Sequence, residues 1–177
     1  DWELEDGGTP SNGTGPDDDV SIGGNYMYTE ASAPRQDGEF AIMYSEEIDL
    51  STLTNPEVRF YTHMYGSAIG ELQVDIFDNG SYTTIFNKIG EQLDAWIEEV
   101  VLINPTSTIV HFRITGILGI NANGDTWPGD IAIDEFSVVE AIANDVEVSS
   151  TPIVSSCSFS NSELLTMQII NNGIATQ

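Results

Sequence analysis

The sequence predicts an all-β protein built as an antiparallel β-sandwich. Short segments that are apolar, or that alternate apolar and polar residues, recur at regular spacing along most of the chain. Turn-forming Gly, Pro, Asn, Asp and Ser residues separate these segments, and no stretch sustains the 3.6-residue period of a helix. Many short strands with turns between them are typical of sandwich folds.

Residues 1–24 are rich in Gly, Asp, Ser, Thr and Pro, and we expect them to form a loop. The strands that follow are predicted at 25–32, 39–45, 57–66, 70–80, 81–89, 96–103, 108–117 and 130–141. Asp78-Asn79-Gly80 predicts a tight hairpin turn between two of them, and 121–130 reads as a loop.

The closing segment GDIAIDEF, residues 129–136, raises a question about chemistry. In a strand, Ile131, Ile133 and Glu135 would share one face, and Asp130, Ala132 and Asp134 the other. Asp130 and Asp134 would then have Cα atoms roughly 13 Å apart, which is too far for the two carboxyl groups of a glycosidase. A metal site or the charged edge of a sheet are the two other interpretations.

The charge of the chain excludes several classes of partner. Its 177 residues hold 29 Asp and Glu against 4 Lys and Arg, for a net charge of −25. Nucleic acids and anionic membrane surfaces would be repelled, and the apolar runs are too short to insert into a membrane. Cations are the natural counterparts of such a surface.

Catalytic motifs are not apparent in the sequence. It contains no His-Glu-x-x-His and no nucleophile elbow. His63 and His111, the two histidines, sit in predicted strands, where a structural role is favoured. Hence we predict a protein that is not an enzyme.

Residues 143–177 read as the beginning of a second β-domain, and residues 1–142 as the main domain. A length of 177 residues leaves room for one full domain and part of another. Cys157 is the single cysteine, so no disulfide can form within the chain, and we expect any partner to lie beyond Gln177. The chain starts at Asp1 rather than Met, which indicates a processed or excised piece.

Four motifs in order resemble the MAM domain family, a jelly-roll sandwich of extracellular adhesive and receptor proteins. They are GGTPSNGTGPDDD at 7–19, NYMYTEAS at 25–32, FYTHMYGSAIGELQV at 60–74 and GDIAIDEF at 129–136. Family members usually begin with a short Phe-Glu strand before the tryptophan that matches Trp2, so that first strand is expected to be missing here. Residues 144–177 resemble, more weakly, the immunoglobulin-like, CARDB-like repeats that follow such modules in secreted proteins of Bacteroidetes.

The resemblance implies a calcium site between the acidic loop and the closing strand. By position, Asp19 matches the loop aspartate of the family and Asp134 the closing one, and Glu30 could reach the same cluster. Calcium takes six to eight oxygen ligands from carboxylates and loop carbonyls, which this pattern offers. The alternative is that these are solvated loop charges.

The loop NGDTW places Asn123, Asp125 and Trp127 together. An exposed aromatic ring beside Asn and Asp is typical of a sugar-binding surface, where the ring stacks on the sugar. Core packing is the alternative for Trp127, as it is for Tyr26, Tyr28, Tyr61 and Tyr65.

Together these observations predict a non-catalytic, calcium-stabilised binding module of a larger secreted or cell-surface protein. Its ligand would be a protein, a polysaccharide or a second copy of the chain. An accessory module or catalytic jelly roll of a polysaccharide-degrading enzyme, and a pure spacer, are the alternatives.

Overall fold

The computed structural model describes residues 1–142, 146–150 and 167–171, and the described residues contain strands and no helix. No helix that could span a membrane is found in this part of the chain. The chain divides into two compact units, Asp1–Glu140 and Ala141–Gln177. In the second unit, β11 (Val146–Ser150) pairs antiparallel with β12 (Met167–Asn171). The immunoglobulin-like assignment stays a prediction, and Cys157 lies outside the described residues.

The first unit is an antiparallel β-sandwich, which confirms the predicted fold class. Its ten strands are β1 (Trp2–Glu5), β2 (Tyr26–Thr29), β3 (Phe40–Tyr44), β4 (Ile48–Asp49), β5 (Pro56–His63), β6 (Glu71–Asp78), β7 (Ser81–Ile89), β8 (Ile97–Leu102), β9 (Ile109–Ile117) and β10 (Ala132–Glu140). The front sheet has the order β1-β2-β10-β5-β8. The back sheet has the order β3-β9-β6-β7, with β4 also paired to β9.

The core between the sheets comes from the apolar residues that alternate along the long strands. Phe60, Leu72, Val74 and Phe112, for example, are essentially inaccessible to solvent. The predicted turn joins β6 to β7, with Asp78 paired to Ser81. Asn79 and Gly80 both have positive φ, 49° and 84°, as a two-residue hairpin turn requires.

The expectation that residues 1–24 are entirely loop is wrong at the start, because Trp2–Glu5 form β1. This strand is held by Trp2, whose indole Nε1 donates to the carbonyl of Ala41 at 3.1 Å and thereby links the two sheets. Gly116 makes room for the ring, since a Cβ there would lie 3.3 Å from Trp2 Cζ2 and 2.6 Å from Thr29 Cγ2. A strand before Trp2 stays a prediction.

The closing strand β10 also departs from the predicted pattern. It lies between β2 and β5 in the front sheet, but β2 pairs only with Ala132 and Ile133, so among the described residues Asp134 pairs with β5 alone, as at a sheet edge. A bulge between Asp134 and Ser137 interrupts its register with β5. Glu135 has a φ of 47° and is exposed, and Phe136 instead turns inward to stack on Phe60. Glu135 therefore does not share the isoleucine face, because the bulge shifts the alternation by one residue.

Residues 6–25, which we call the covering loop, lie on the outer face of the front sheet. Tyr26 and Tyr28 point to that face and are at most 2% exposed. Tyr26 donates from its hydroxyl to the Gly7 carbonyl at 2.7 Å, and Trp96 donates from Nε1 to the Asp18 carbonyl at 2.9 Å. The covering loop thus closes a second small apolar cluster of Tyr26, Tyr28, Ala132 and Trp96, outside the sandwich core.

Candidate functional site

Trp127 lies at the edge of a cavity of about 300 Å³ that we call the Trp127 cavity. The residue is 43% exposed, which core packing would not allow. The walls come from two loops, 33–37 and 120–127, and the lining residues are Ala33, Arg35, Gln36, Asp37, Ile120, Gly124, Asp125, Thr126 and Trp127. Two of the three residues predicted from the NGDTW motif, Asp125 and Trp127, therefore line one cavity.

Asn123 is exposed and is not part of the cavity wall. The residue that organises this loop is Asn121, which the sequence reasoning missed. Its side-chain oxygen accepts the amide protons of Asn123 at 2.9 Å and Asp125 at 3.0 Å. The Asn121 amide donates to the Asp125 carbonyl at 3.0 Å, so the loop folds on itself. An Asn followed by turn residues is a recognisable signal for such a side-chain-capped loop.

Thr126 fastens the two walls of the cavity to each other. Its hydroxyl donates to the Ala31 carbonyl at 2.7 Å and lies 3.4 Å from the Arg35 carbonyl. The side chain is only 8% exposed, so this contact is shielded from water. The cavity is therefore built by a buried tether and does not depend on a ligand to bring its walls together.

The residues predicted for a metal site fall into two separate places. Asp134 accepts a hydrogen bond from the Val20 amide at 3.2 Å, which puts it beside the segment that carries Asp19. Glu30 directly follows the last residue of β2, at the opposite end of that strand from Asp134. The Glu30 Oε1 accepts a hydrogen bond from the Ser32 amide at 2.6 Å. β2 separates the two places by four residues, or roughly 13 Å of extended chain. Asp19 and Asp134 share a neighbourhood, and Glu30 lies outside it.

Asp19 is 5% exposed, and its Oδ2 accepts from the Ser21 hydroxyl at 2.7 Å. That hydroxyl and the nearby Gly24 amide lower the pKa of the Asp19 carboxyl. Its Oδ1 is buried without a hydrogen-bond partner. A buried carboxylate oxygen without a partner costs free energy unless something compensates its charge.

Asp130, which the sequence analysis considered only as a partner of Asp134, is the second carboxylate of this kind. It is fully buried, its Oδ1 accepts from the Ala31 amide at 3.1 Å, and its Oδ2 has no partner. Burial, together with the charges of Glu30 and Glu3, raises the pKa of Asp130 to about 7. Glu30 is thus a neighbour of Asp130 and not of Asp19. Among the described residues, no three His, Cys, Asp or Glu side chains are grouped so as to hold a metal ion.

Both histidines lie away from the Trp127 cavity and have structural surroundings. His63 is 3% exposed, packs edge-on against Trp96, and has its Nε2 3.3 Å from Asp94. Burial lowers the pKa of His63. His111 stacks on Phe77 and shares a hydrogen bond of 2.9 Å with the Tyr82 hydroxyl.

A second cavity, of about 250 Å³, opens at the mouth of the sandwich and is mainly apolar. Its walls include Met27, Met43, Ile114 and Ile133 from both sheets. The pairing of β10 with β2 covers only Ala132 and Ile133, so the following residues of β10 form one wall of this opening without a partner strand on that side in the described chain.

Comparisons of the sequence with a family model and with known proteins indicate the same family. A family model described as "MAM domain, meprin/A5/mu" matches residues 1–141. The human MAM domain-containing glycosylphosphatidylinositol anchor protein 2 is 36% identical over 143 residues, covering 75% of this chain and 14% of that protein. Neuropilin-1a of Danio rerio is 26% identical over 170 residues, covering 86% of this chain and 17% of that protein. The chain therefore spans less than a fifth of these relatives.

Among solved structures, the carbohydrate-binding module TmCBM61 in complex with β-1,4-galactotriose is similar with a TM-score of 0.45 and 14% identity. The alignment covers 78% of this chain and 88% of that module. At this level the likeness identifies no ligand for the present chain. The family model and the relative that is 36% identical establish the family, and the chain belongs to the MAM domain family.

Proposed function

We propose that this chain is a non-catalytic binding module of a secreted or cell-surface protein, and that it binds a polysaccharide at the Trp127 cavity. The observation that carries the proposal is the half-exposed Trp127 indole at the edge of a preformed cavity that Asp125 also lines. Membership of the MAM family and the names of its anchored relatives support the extracellular setting.

The arrangement suits a sugar because it offers a flat apolar face and polar groups side by side. A pyranose ring packs its C–H face on an aromatic ring, and its hydroxyl groups donate to carboxylate or amide oxygens. Trp127 would supply the ring face, and Asp125, Gln36 and Asp37 the hydrogen bonds. Asn121 and Thr126 hold both loops in place, so little ordering entropy would be lost on binding.

The proposal that the module is not an enzyme is supported by the positions of its titratable groups. His63 is buried under the covering loop and His111 is held between Phe77 and Tyr82, so neither faces the Trp127 cavity.

Binding to an array of plant, microbial and animal glycans tests this function, followed by titration calorimetry of the glycans that bind. Trp127→Ala should abolish binding because it removes the stacking face. Tyr44→Ala is the matched control, since Tyr44 is also an exposed aromatic residue, at 60%, but lies outside the cavity. Glycan binding that survives Trp127→Ala, or an array without any binding, would contradict the proposal. A protein ligand or self-association would then be the better account.

We further propose that Ca²⁺ stabilises the module next to the covering loop. The unpartnered, buried Oδ1 of Asp19 supports this, as does the closeness of Asp134 through Val20. Two carboxylates fit a calcium site only in part, because Ca²⁺ takes six to eight oxygens and the remainder would have to come from loop carbonyls and water. A bound cation would neutralise the buried charge and join the covering loop to β10.

A further inference from the structure

We propose that the Trp127 cavity selects saccharides that carry a single carboxylate, with Arg35 as the residue that binds the anion. This inference rests on the proposed function and names the ligand class of the same cavity. It starts from the way in which this acidic chain uses its few cationic side chains.

All four basic residues lie in the described part of the chain, and three of them are tightly paired. Arg59 Nε lies 2.6 Å from Glu57, and Arg113 Nη2 lies 2.9 Å from Asp75. Lys88 is paired with Glu99. Such pairing is expected, because the chain holds 29 acidic residues that can act as partners.

Arg35 is the exception among the four. Its carboxylate contact is Asp1, at 3.9 Å, and the Asp1 side chain is 93% exposed. An ion pair at that distance and exposure contributes little. The Arg35 side chain is itself 34% exposed and lines the cavity that Trp127 borders. Arg35 also lines a smaller cavity with Asp1 and Glu39, and a guanidinium so weakly paired can rotate to meet an anion in the Trp127 cavity.

The chemistry of the cavity narrows the choice of anion. A guanidinium binds a carboxylate through two parallel hydrogen bonds, a geometry that an ammonium group cannot provide. Asp37 and Asp125 line the same cavity, and they would repel a second negative charge while accepting hydrogen bonds from sugar hydroxyls. The net charge of −25 also repels polyanions at long range. A sugar acid with isolated carboxylates fits these conditions, whereas a densely sulfated chain does not.

A neutral oligosaccharide that ends in a single uronic acid, compared with its methyl ester, tests the inference directly, because the ester keeps the ring and removes the charge. Titration calorimetry at physiological salt should show the free acid binding about tenfold more tightly than the ester, as loss of one charged hydrogen-bonding contact implies. Arg35→Gln should remove this preference, because it should weaken the binding of the acid far more than that of the ester. Trp127→Ala should weaken both ligands.

Lys88→Gln is the matched control, since it removes one positive charge from outside the cavity and should keep the preference for the acid. Melting curves of the variants verify that each is folded. If acid and ester bind the wild type equally, or if only neutral saccharides bind, the inference is wrong while the proposed function stands. If no saccharide binds in a Trp127-dependent way, both are wrong.

Discussion

The backbone amide of Val20 donates to the carboxylate of Asp134 at 3.2 Å and so joins residues that are 114 positions apart in sequence. This contact ties the covering loop to the central strand of the front sheet. It also brings Asp134 beside the residue that follows Asp19, whose Oδ1 is unpartnered. The stability of the covering loop and the affinity for cations should therefore be linked.

The first prediction is that Ca²⁺ raises the melting temperature. At a free concentration one hundred times the dissociation constant, binding to the folded state alone contributes about 2.7 kcal/mol, or several degrees. Asp19→Asn and Asp134→Asn should each remove most of the shift, and Asp125→Asn should keep it. Differential scanning calorimetry with and without chelator is the measurement.

Glu30→Gln locates the ion in the same experiment. A shift retained in Glu30→Gln agrees with a site at Asp19 and Asp134, whereas a shift lost there moves the ion to Asp130 and Glu30. A wild-type midpoint that moves by less than about one degree would mean that no calcium site exists.

The second prediction concerns Asp130, whose pKa is raised to about 7 by burial. Because an unfolded Asp titrates near 3.9, the folded state binds the proton more tightly, and this contribution to stability is present below about pH 4 and is lost as the pH rises through 7. Asp130→Asn keeps the acceptor for the Ala31 amide without the charge. At pH 8 in chelator it should be more stable than the wild type, by up to about 4 kcal/mol. Urea denaturation between pH 4 and 8 measures the difference, and equal pH slopes for both proteins would refute the prediction.

The third prediction concerns His63, for which stability is lost as the pH falls and not as it rises. Burial lowers its pKa, so the folded state favours the neutral imidazole, and the associated stability is present above about pH 6.5 and is lost as the pH falls through the lowered pKa. His63→Phe should flatten this acid limb, since the ring can still pack against Trp96. His111→Phe is the control, because His111 packs against Phe77 and Tyr82 in the other sheet and makes no contact with Trp96 or Asp94 among the contacts of the described residues. The measurement is the free energy of unfolding as a function of pH below pH 6. If its pH dependence in His63→Phe equals that of the wild type, the loss of stability in acid comes from other groups.

The fourth prediction is steric. In Gly116→Ala the new Cβ would lie 2.6 Å from Thr29 Cγ2, so the variant should lose about 1–3 kcal/mol of unfolding free energy. Thr29→Ser removes that methyl group and keeps the hydroxyl oxygen that accepts from the Ile131 amide. The double variant should therefore recover part of the loss, which a double-mutant cycle in urea would show as a favourable coupling. Strictly additive effects would indicate that the contact between these two groups is not the cause.

The sequence was informative wherever local chemistry decides the outcome. The Asn79-Gly80 turn and the long strands around it follow from positive-φ residues and two-residue alternation, and both were found. The placement of Trp127 and Asp125 at one cavity was also predictable, because both belong to the same short loop.

Contacts between distant segments could not be predicted in this way. Arg35 joins the Trp127 cavity only because Thr126 ties loop 120–127 to the Ala31 carbonyl. Glu30 and Asp19 are separated by the full length of β2, which residue type does not reveal. The bulge that exposes Glu135 depends on register with β5, so the alternation in GDIAIDEF gave the wrong face for that residue.

The apolar cluster beneath the covering loop also helps to fix the register of β2. In most sheets, a shift of one residue in strand register moves the buried side chains to the solvent-facing side and the polar side chains into the core. In β2 both faces are packed, with Tyr26 and Tyr28 outward and Met27 and Thr29 toward the sandwich. A slipped β2 would push tyrosines into the narrow interior and strip the Tyr26 hydroxyl of its bond to Gly7. A shift of β2 by one residue would therefore disrupt the packing on both of its faces. The register of this four-residue strand is thus specified as strongly as that of a much longer strand.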